Sequence, residues 1–146
     1  NEPRPKFDSL THTCVKAQTI TPDQVTNGWT VAERPLNDVK SALSDRINAD
    51  AYERIVVIAP EYKQRNAIAR SVELLAIQAG VWVAPDGTSP NARALTAEEQ
   101  AEARLMSQLW AAVAAIRAAS NTANEAVQAA KDVAGARAAY DAVIWP

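Results

Sequence analysis

The chain has 146 residues, 15 basic and 17 acidic, with a formal net charge of -2; this is enough for one domain with a modest core, and no excess of one sign points to nucleic acid or anionic lipid. Aromatics make up 5% and the apolar share of 48% leans heavily on alanine, which favours helix but buries little area, so each Trp, Leu and Ile must contribute disproportionately. A single cysteine, Cys14, and a single histidine, His12, exclude an intrachain disulfide and a thiolate or imidazole metal site, and four glycines are too few to build a phosphate-cradling loop.

No apolar run approaches the roughly 18 residues of a membrane span, and the start, Asn-Glu-Pro-Arg-Pro-Lys, lacks the apolar core of a signal peptide. The expectation is a soluble protein made in a cytoplasm, with no membrane partner.

Residues 1–6 carry two prolines and read as an extended arm, since proline fixes φ and withholds an N–H. Residues 7–35 read as a small β-hairpin or meander. Thr13–Thr21 has alternating, β-branched content; Thr21-Pro22-Asp23 and Asn27-Gly28 are turn signals, the second the stronger; and Trp29–Glu33 alternates again. Trp29 and Val31 are expected on its packing face. A lone two-stranded hairpin is marginal in water, so it must lie on the helices or on another chain.

Residues 36–146 read as a helical region within one compact domain. Asn37 is a suitable N-cap, and Val39, Leu43, Ile47 and Ala51 recur every four residues. The run Ile55-Val56-Val57-Ile58 suits either a buried strand or the end of this helix. Helix is preferred, because Asp45–Arg54 carries no turn signal.

Pro60 disfavours α conformation at Ala59 and fits the first turn of the next helix, with Glu61 near its N-terminus and Gly80 as its stop. Between them, apolar residues return at helical spacing: Ile68, Val72 and Leu75. Val81-Trp82-Val83 is a short extended patch, followed by a connection rich in Pro and Gly.

Thr96 and Glu99 have capping-box spacing and open the clearest helix, with Met106, Leu109, Trp110, Val113 and Ile116 on one face. Ser120-Asn121-Thr122 could interrupt it before alanine-rich helix resumes from Ala123 to Tyr140, weakened at Gly135. The apolar end, Val143-Ile144-Trp145-Pro146, suggests a packed terminus. The fold class is therefore mainly α with a small N-terminal β-hairpin or meander (α+β), the helices forming a hairpin or bundle.

No catalytic set can be assembled. His12 and Cys14, two apart on a strand, share a face, but a nucleophilic pair would also need an orienting group and an oxyanion site. The acidic groups Asp45/Asp50/Glu53 and Glu98/Glu99/Glu102 lack the alternating oxygen ligands of a calcium loop. The charged group Glu61, Lys63, Arg65 and Arg70 reads either as a solvated helix face or as a grip for an acidic partner, since arginine forks match carboxylates. Tyr62 alone is too little aromatic content for a nucleic-acid surface. The four tryptophans Trp29, Trp82, Trp110 and Trp145 serve either as core anchors or as interface anchors. Tyr62, Lys63, Arg65, Asn66, Trp29, Trp82 and Trp110 are thus the candidate interface residues. A small chain of alanine-rich helices also leans toward a homo-oligomer.

Four stretches carry a family resemblance. They are Phe7-Asp8-Ser9-Leu10-Thr11-His12; Gly28-Trp29-Thr30-Val31 with Pro35-Leu36 behind it; Ala59-Pro60-Glu61-Tyr62-Lys63-Gln64-Arg65-Asn66; and Trp110 followed by Ile116-Arg117-Ala118-Ala119-Ser120-Asn121. They resemble, respectively, an aromatic-Asp-Pro-x-Thr-His/Gln opening, a Trp-x-Val strand leading into a helix, a Cys-Pro-Glu-Trp-Lys-Gln-Arg-Asn block and a Trp…Ile-Arg-Ala-Ala-Ser-Asn helix. Those features belong to small proteins, and C-terminal segments of longer ones, encoded among tail-fibre genes of tailed bacteriophages and prophages. Pro60–Asn66 is the most specific of the four. The sequence departs at the turn proline of the opening, which it lacks, and from Trp82 to Leu95.

The resemblance implies a non-enzymatic structural part of a virion, assembled in the host cytoplasm and associated with the tail or tail fibre. Its partners would be other tail or fibre subunits and its own copies, trimeric if it follows a fibre's threefold axis. The alternatives are a fibre-assembly chaperone, or a decoration or adaptor protein elsewhere on the virion, such as the head.

Overall fold

The computed structural model describes residues 3–81, 87 and 92–146. Among these residues the order is β1 (His12–Thr21), β2 (Gln24–Glu33), α1 (Leu36–Ile58), α2 (Glu61–Ala79), α3 (Ala97–Ala129) and α4 (Val133–Asp141). The protein is mainly helical with an N-terminal antiparallel hairpin, the class its sequence predicts. Two compact units divide it: Asn1–Asp50 with Ala119–Trp145, and Ala51–Ala118 with Pro146.

In the first unit, β1 and β2 pair from His12↔Glu33 to Thr21↔Gln24. The turn is therefore Pro22-Asp23, closed by the Thr21 hydroxyl donating to the Gln24 carbonyl at 3.0 Å. The stronger sequence signal, Asn27-Gly28, is corrected: it lies inside β2, opposite Gln18 and Ala17. A turn at Pro22-Asp23 lets both ten-residue runs pair along their whole length, whereas one at Asn27-Gly28 would leave most of β1 without a partner strand. Asn27 serves the ladder instead, its side-chain oxygen accepting from Gln18 Nε2 at 3.2 Å.

The core of this unit forms where Val39, Leu43 and Ile47 of α1 meet Ala123, Val127, Val133 and Ala136, with Leu10, Tyr140, Val143 and Trp145 packed around them. The four-residue period places the α1 side chains on one stripe. A polar ladder runs beside the stripe: Lys40 Nζ donates to the Gln128 carbonyl at 2.7 Å, Gln128 Nε2 to Ser44 Oγ at 3.1 Å, and Asn124 Nδ2 to Asn48 Oδ1 at 2.9 Å. Its members recur every four residues on both helices, so it fixes their register.

Two helix boundaries differ from the sequence reading. The α1 helix starts at Leu36, with the Pro35 carbonyl accepting from the Val39 N–H at 3.1 Å, so Asn37 lies inside the first turn and is not the cap. Ser120-Asn121-Thr122 does not interrupt α3, because Ser120 is buried and Ala123 belongs to the core; the break comes after Ala129. Asp132 then caps α4 by accepting from the Gly135 N–H at 2.7 Å. Arg137 of α4 pairs with Asp8 and with Asp141, and stacks on Tyr140. Asp8 in turn accepts from the Leu10 N–H at 3.0 Å, so the approach to β1 is tied to α4.

In the second unit, α1 runs through Ile55–Ile58 as helix. Pro60 precedes the first residue of α2 and acts as its cap, its carbonyl accepting from the Gln64 N–H at 3.0 Å. Gly80, at φ +71, ends α2: its N–H donates to the Ile77 carbonyl and the Val81 N–H to the Ala76 carbonyl, at 3.2 and 3.0 Å. This is the Schellman closure, which requires a left-handed residue. Ala67, Leu74 and Ile77 are the buried side of α2, and Val113 and Ile116 that of α3 within this unit.

The predicted capping box opens α3. Thr96 N–H donates to Glu99 Oε2 at 2.8 Å and Glu99 N–H to Thr96 Oγ1 at 3.2 Å, while Arg93 grips the same carboxylate through both terminal nitrogens at 2.7 and 2.8 Å. The Arg93 hydrogen bonds, followed by the Thr96 N–H, hold the Glu99 carboxyl down at about 2, against its ordinary 4.5. A carboxylate with a depressed folded pKa stabilises the fold above its unfolded value and loses that contribution as pH falls through the folded one. Helix at the start of α3 is therefore expected to weaken between pH 4.5 and about 2. Far-UV circular dichroism of the wild type and Glu99→Gln across that range checks it. The variant should start less helical and change less on acidification.

Candidate protein–protein interface

The Pro60–Asn66 block forms the first turns of α2. Tyr62, Lys63, Arg65 and Asn66 are all exposed, and Gln64, which is half-buried, turns back to donate to the Ala59 carbonyl at 2.6 Å. Arg65 stands 3.9 Å from Glu61, with 78% and 70% of the two side chains exposed; such a pair holds neither group firmly. Arg70 behaves differently. It pairs with Glu73 at 2.7 Å and with Glu102 of α3 at 2.8 Å, and the Glu73 hydrogen bond, then that to Glu102, raises its pKa further. Of the charged group read either as a solvated helix face or as a grip, Arg70 is thus committed within the unit, whereas Lys63 and Arg65 face solvent.

The tryptophans separate. Trp110 is half-buried on α3 and lines a groove with Leu74, Leu75, Leu95 and Met106. Trp29 is half-buried on β2, where Lys16, its cross-strand partner, and Arg4 of the N-terminal arm both lie 5.7 Å from its ring. Val31, expected to pack beside it, is 40% exposed. Trp145 packs against the first unit's core. Trp82 lies outside the described residues. The structure therefore brings Trp110 into the same unit as the α2 block, and places Trp29 in the other.

His12 and Cys14 are half-buried on one face of β1, and His12 Nδ1 lies 2.8 Å from Thr11 Oγ1. Among the described residues no group of three or more His, Cys, Asp or Glu is placed to hold a metal ion, and no helix is long and apolar enough to cross a membrane.

Two apolar surfaces lie on segments that the sequence indicated without showing that they are exposed. The distal half of the hairpin, residues 18–27, is exposed throughout, and its cross-strand pair Ile20↔Val25 leaves 72% and 55% of those residues in solvent. On α2, Ile68, Val72 and Leu75 are 52%, 61% and 64% exposed. Isolated exposed apolar residues are unremarkable, whereas contiguous ones mark contact surfaces. Alternation had indicated a strand pair but not how far it projects beyond its support. Helical spacing had indicated the α2 stripe but not which way it faces. No protein-family model, curated protein or solved structure matches the chain.

Proposed function

We propose that the protein is a non-enzymatic structural component of a tailed-bacteriophage virion, assembled in the host cytoplasm and associated with the tail or tail fibre. Its partners are neighbouring tail or fibre subunits and further copies of itself, with neither nucleic acid nor membrane among them. The copies meet through the alanine-rich helices, threefold if they follow a fibre axis. The virion assignment comes from the four sequence stretches that resemble tail-fibre-associated proteins.

The observation that carries the docking role is the hairpin. A two-stranded ribbon is marginal in water on its own, yet β1 and β2 extend as ten-residue strands whose far half, residues 18–27, is exposed throughout. Its tip presents Ile20 and Val25, which gain stability only when a neighbour removes them from water. An arm of this kind fits a recess or a sheet edge on an adjoining subunit.

The test is quantitative mass spectrometry of purified particles, with this chain scaled against the major capsid and tail-tube proteins. A copy number that is a small multiple of three supports a tail or fibre part, and hundreds of copies would move the protein to the head surface or along the tail tube. Absence from particles, with expression confirmed in the lysate, would leave the assembly-chaperone reading. The paired variant Ile20→Lys/Val25→Glu keeps opposite charges across the strands, and with them the hairpin. It is expected to lower incorporation at least tenfold, and unchanged incorporation would remove the hairpin as the docking element.

A further inference from the structure

We propose that Asn27-Gly28 is a self-modification site. When the hairpin opens there, the Gly28 amide nitrogen attacks the Asn27 side-chain carbonyl carbon, and one of the products stops the distal half from pairing again. The chemistry does not depend on what the protein assembles with. Glycine has no Cβ to obstruct the attacking nitrogen, and its backbone reaches the ring geometry that the attack requires. The Gly28 N–Cγ bond forms, and the amide proton passes through solvent to the Asn27 Nδ2, which leaves as ammonia. Water then opens the five-membered imide at either carbonyl, leaving aspartate or isoaspartate at position 27.

The closed ladder blocks this attack. Asn27 and Gly28 stand opposite Gln18 and Ala17 in a one-to-one register without a bulge. In an extended strand the next amide lies in the plane of the sheet while the side chain stands out of it, so the two reacting atoms are held apart. The side chain is restrained too, its oxygen accepting from Gln18 Nε2 at 3.2 Å. Yet the ribbon is weak at this point. Neither asparagine nor glycine favours a strand, and glycine offers no side chain to pack on. Residues 18–27 are exposed throughout and are held only by a two-stranded ladder. Opening of such a segment is local and leaves the Val39, Leu43 and Ile47 core closed.

The two products differ in consequence. Aspartate keeps the main chain as it was, and its carboxylate lies diagonal to Lys16, the partner of Trp29. Isoaspartate adds a methylene to the main chain, so the pairs on its two sides cannot both stay in register. The base of the hairpin is anchored, with the Arg34 N–H donating to the Thr11 carbonyl at 2.8 Å. The pairs lost are therefore the distal ones, from Gln18↔Asn27 to Thr21↔Gln24. If the hairpin docks as proposed above, a covered arm is held shut and stays intact, while a free one is retired with time.

The test incubates the full chain at mildly alkaline pH beside a synthetic peptide of residues 24–33, with mass spectrometry following ammonia loss at position 27. Conversion is expected to be at least tenfold slower in the folded chain than in the peptide, because only the open fraction reacts. Gln18→Ala, which removes the side-chain restraint, should speed it at least threefold with the helical circular dichroism unchanged. In chains separated as isoaspartate, amide hydrogen exchange over residues 18–26 should be at least tenfold faster than in wild type. Asn27→Asp, the other product, should exchange as wild type does. Conversion at the peptide's rate overturns the proposal, as does an unmodified folded chain once the peptide is spent. Wild-type exchange in the isoaspartate chain would equally overturn it. Each of these outcomes can occur whether or not the chain is found in particles, so the docking reading stands or falls separately.

Discussion

Leu43→Ala is expected to lower the free energy of unfolding by about 3 kcal/mol, within the range for emptying a fully buried leucine site. Leu43 is 0% exposed and sits between Val39 and Ile47 on the α1 stripe, in a buried cluster whose other members are mostly valines and alanines. Small side chains leave few atoms that can move into the vacated space, so the transfer loss and the cavity add. For a domain of about 10 kcal/mol total stability this is a third of the whole. Urea titration followed by helicity measures it, with Leu75→Ala as the comparison at a concentration low enough to keep the chain dissociated. Leu75 is 64% exposed, and its truncation should stay within about 0.5 kcal/mol of wild type. Equal losses at the two positions would mean that the α1 stripe is not the organising contact of the first unit.

Gly80→Ala should cost nearly as much, for a different reason. At φ +71 an alanine bears about 1–2 kcal/mol of left-handed strain. Its Cβ would also lie 2.6 Å from the Ala92 backbone nitrogen, a distance that only movement of the main chain can relieve. Gly87 provides the internal control, because its φ is +83 but an added Cβ meets nothing within 4 Å among the described residues. Gly87→Ala should show the strain alone, and the excess loss at Gly80, expected to be another 1–2 kcal/mol, measures the clash with Ala92. Urea midpoints of the two variants settle the comparison. Identical losses would show that the Ala92 backbone gives way freely.

The features legible in the sequence were those in which a local pattern and a tertiary demand coincide. Val39, Leu43, Ile47 and Ala51 repeat every four residues and all four are buried. Thr96 and Glu99 make the reciprocal bonds that their spacing implies, and Gly80 adopts the left-handed stop. Where two local signals competed, the longer-range term decided. The ladder of ten cross-strand pairs outweighed the turn preference of Asn27-Gly28. Burial of Ser120 and Ala123 held α3 together across residues with weak helix propensity. The candidate interface was legible only as a set of residue types. Trp110 and the exposed α2 stripe could be enumerated from the chain, but periodicity gives α2 two apolar faces and no means of ranking them. The groove beside Leu75 is built from residues on α2, α3 and the segment before α3, and so has no linear signature.

The first unit also constrains how the protein can be made. Its core joins α1 to residues far along the sequence: the Lys40–Gln128 bond spans 88 positions, and Val39, Leu43 and Ile47 find their partners in Val127, Val133 and Ala136. Ribosomal synthesis is vectorial, so the α1 stripe emerges well before the residues that will cover it. While the residues between α1 and Val127 are being made, the nascent chain carries an uncovered aliphatic seam, the condition under which holding factors bind and neighbouring nascent chains stick together. Maturation of this unit is therefore tied to the emergence of Val133 and Ala136, and a message truncated before the codon for Val133 would yield a chain unable to close its core.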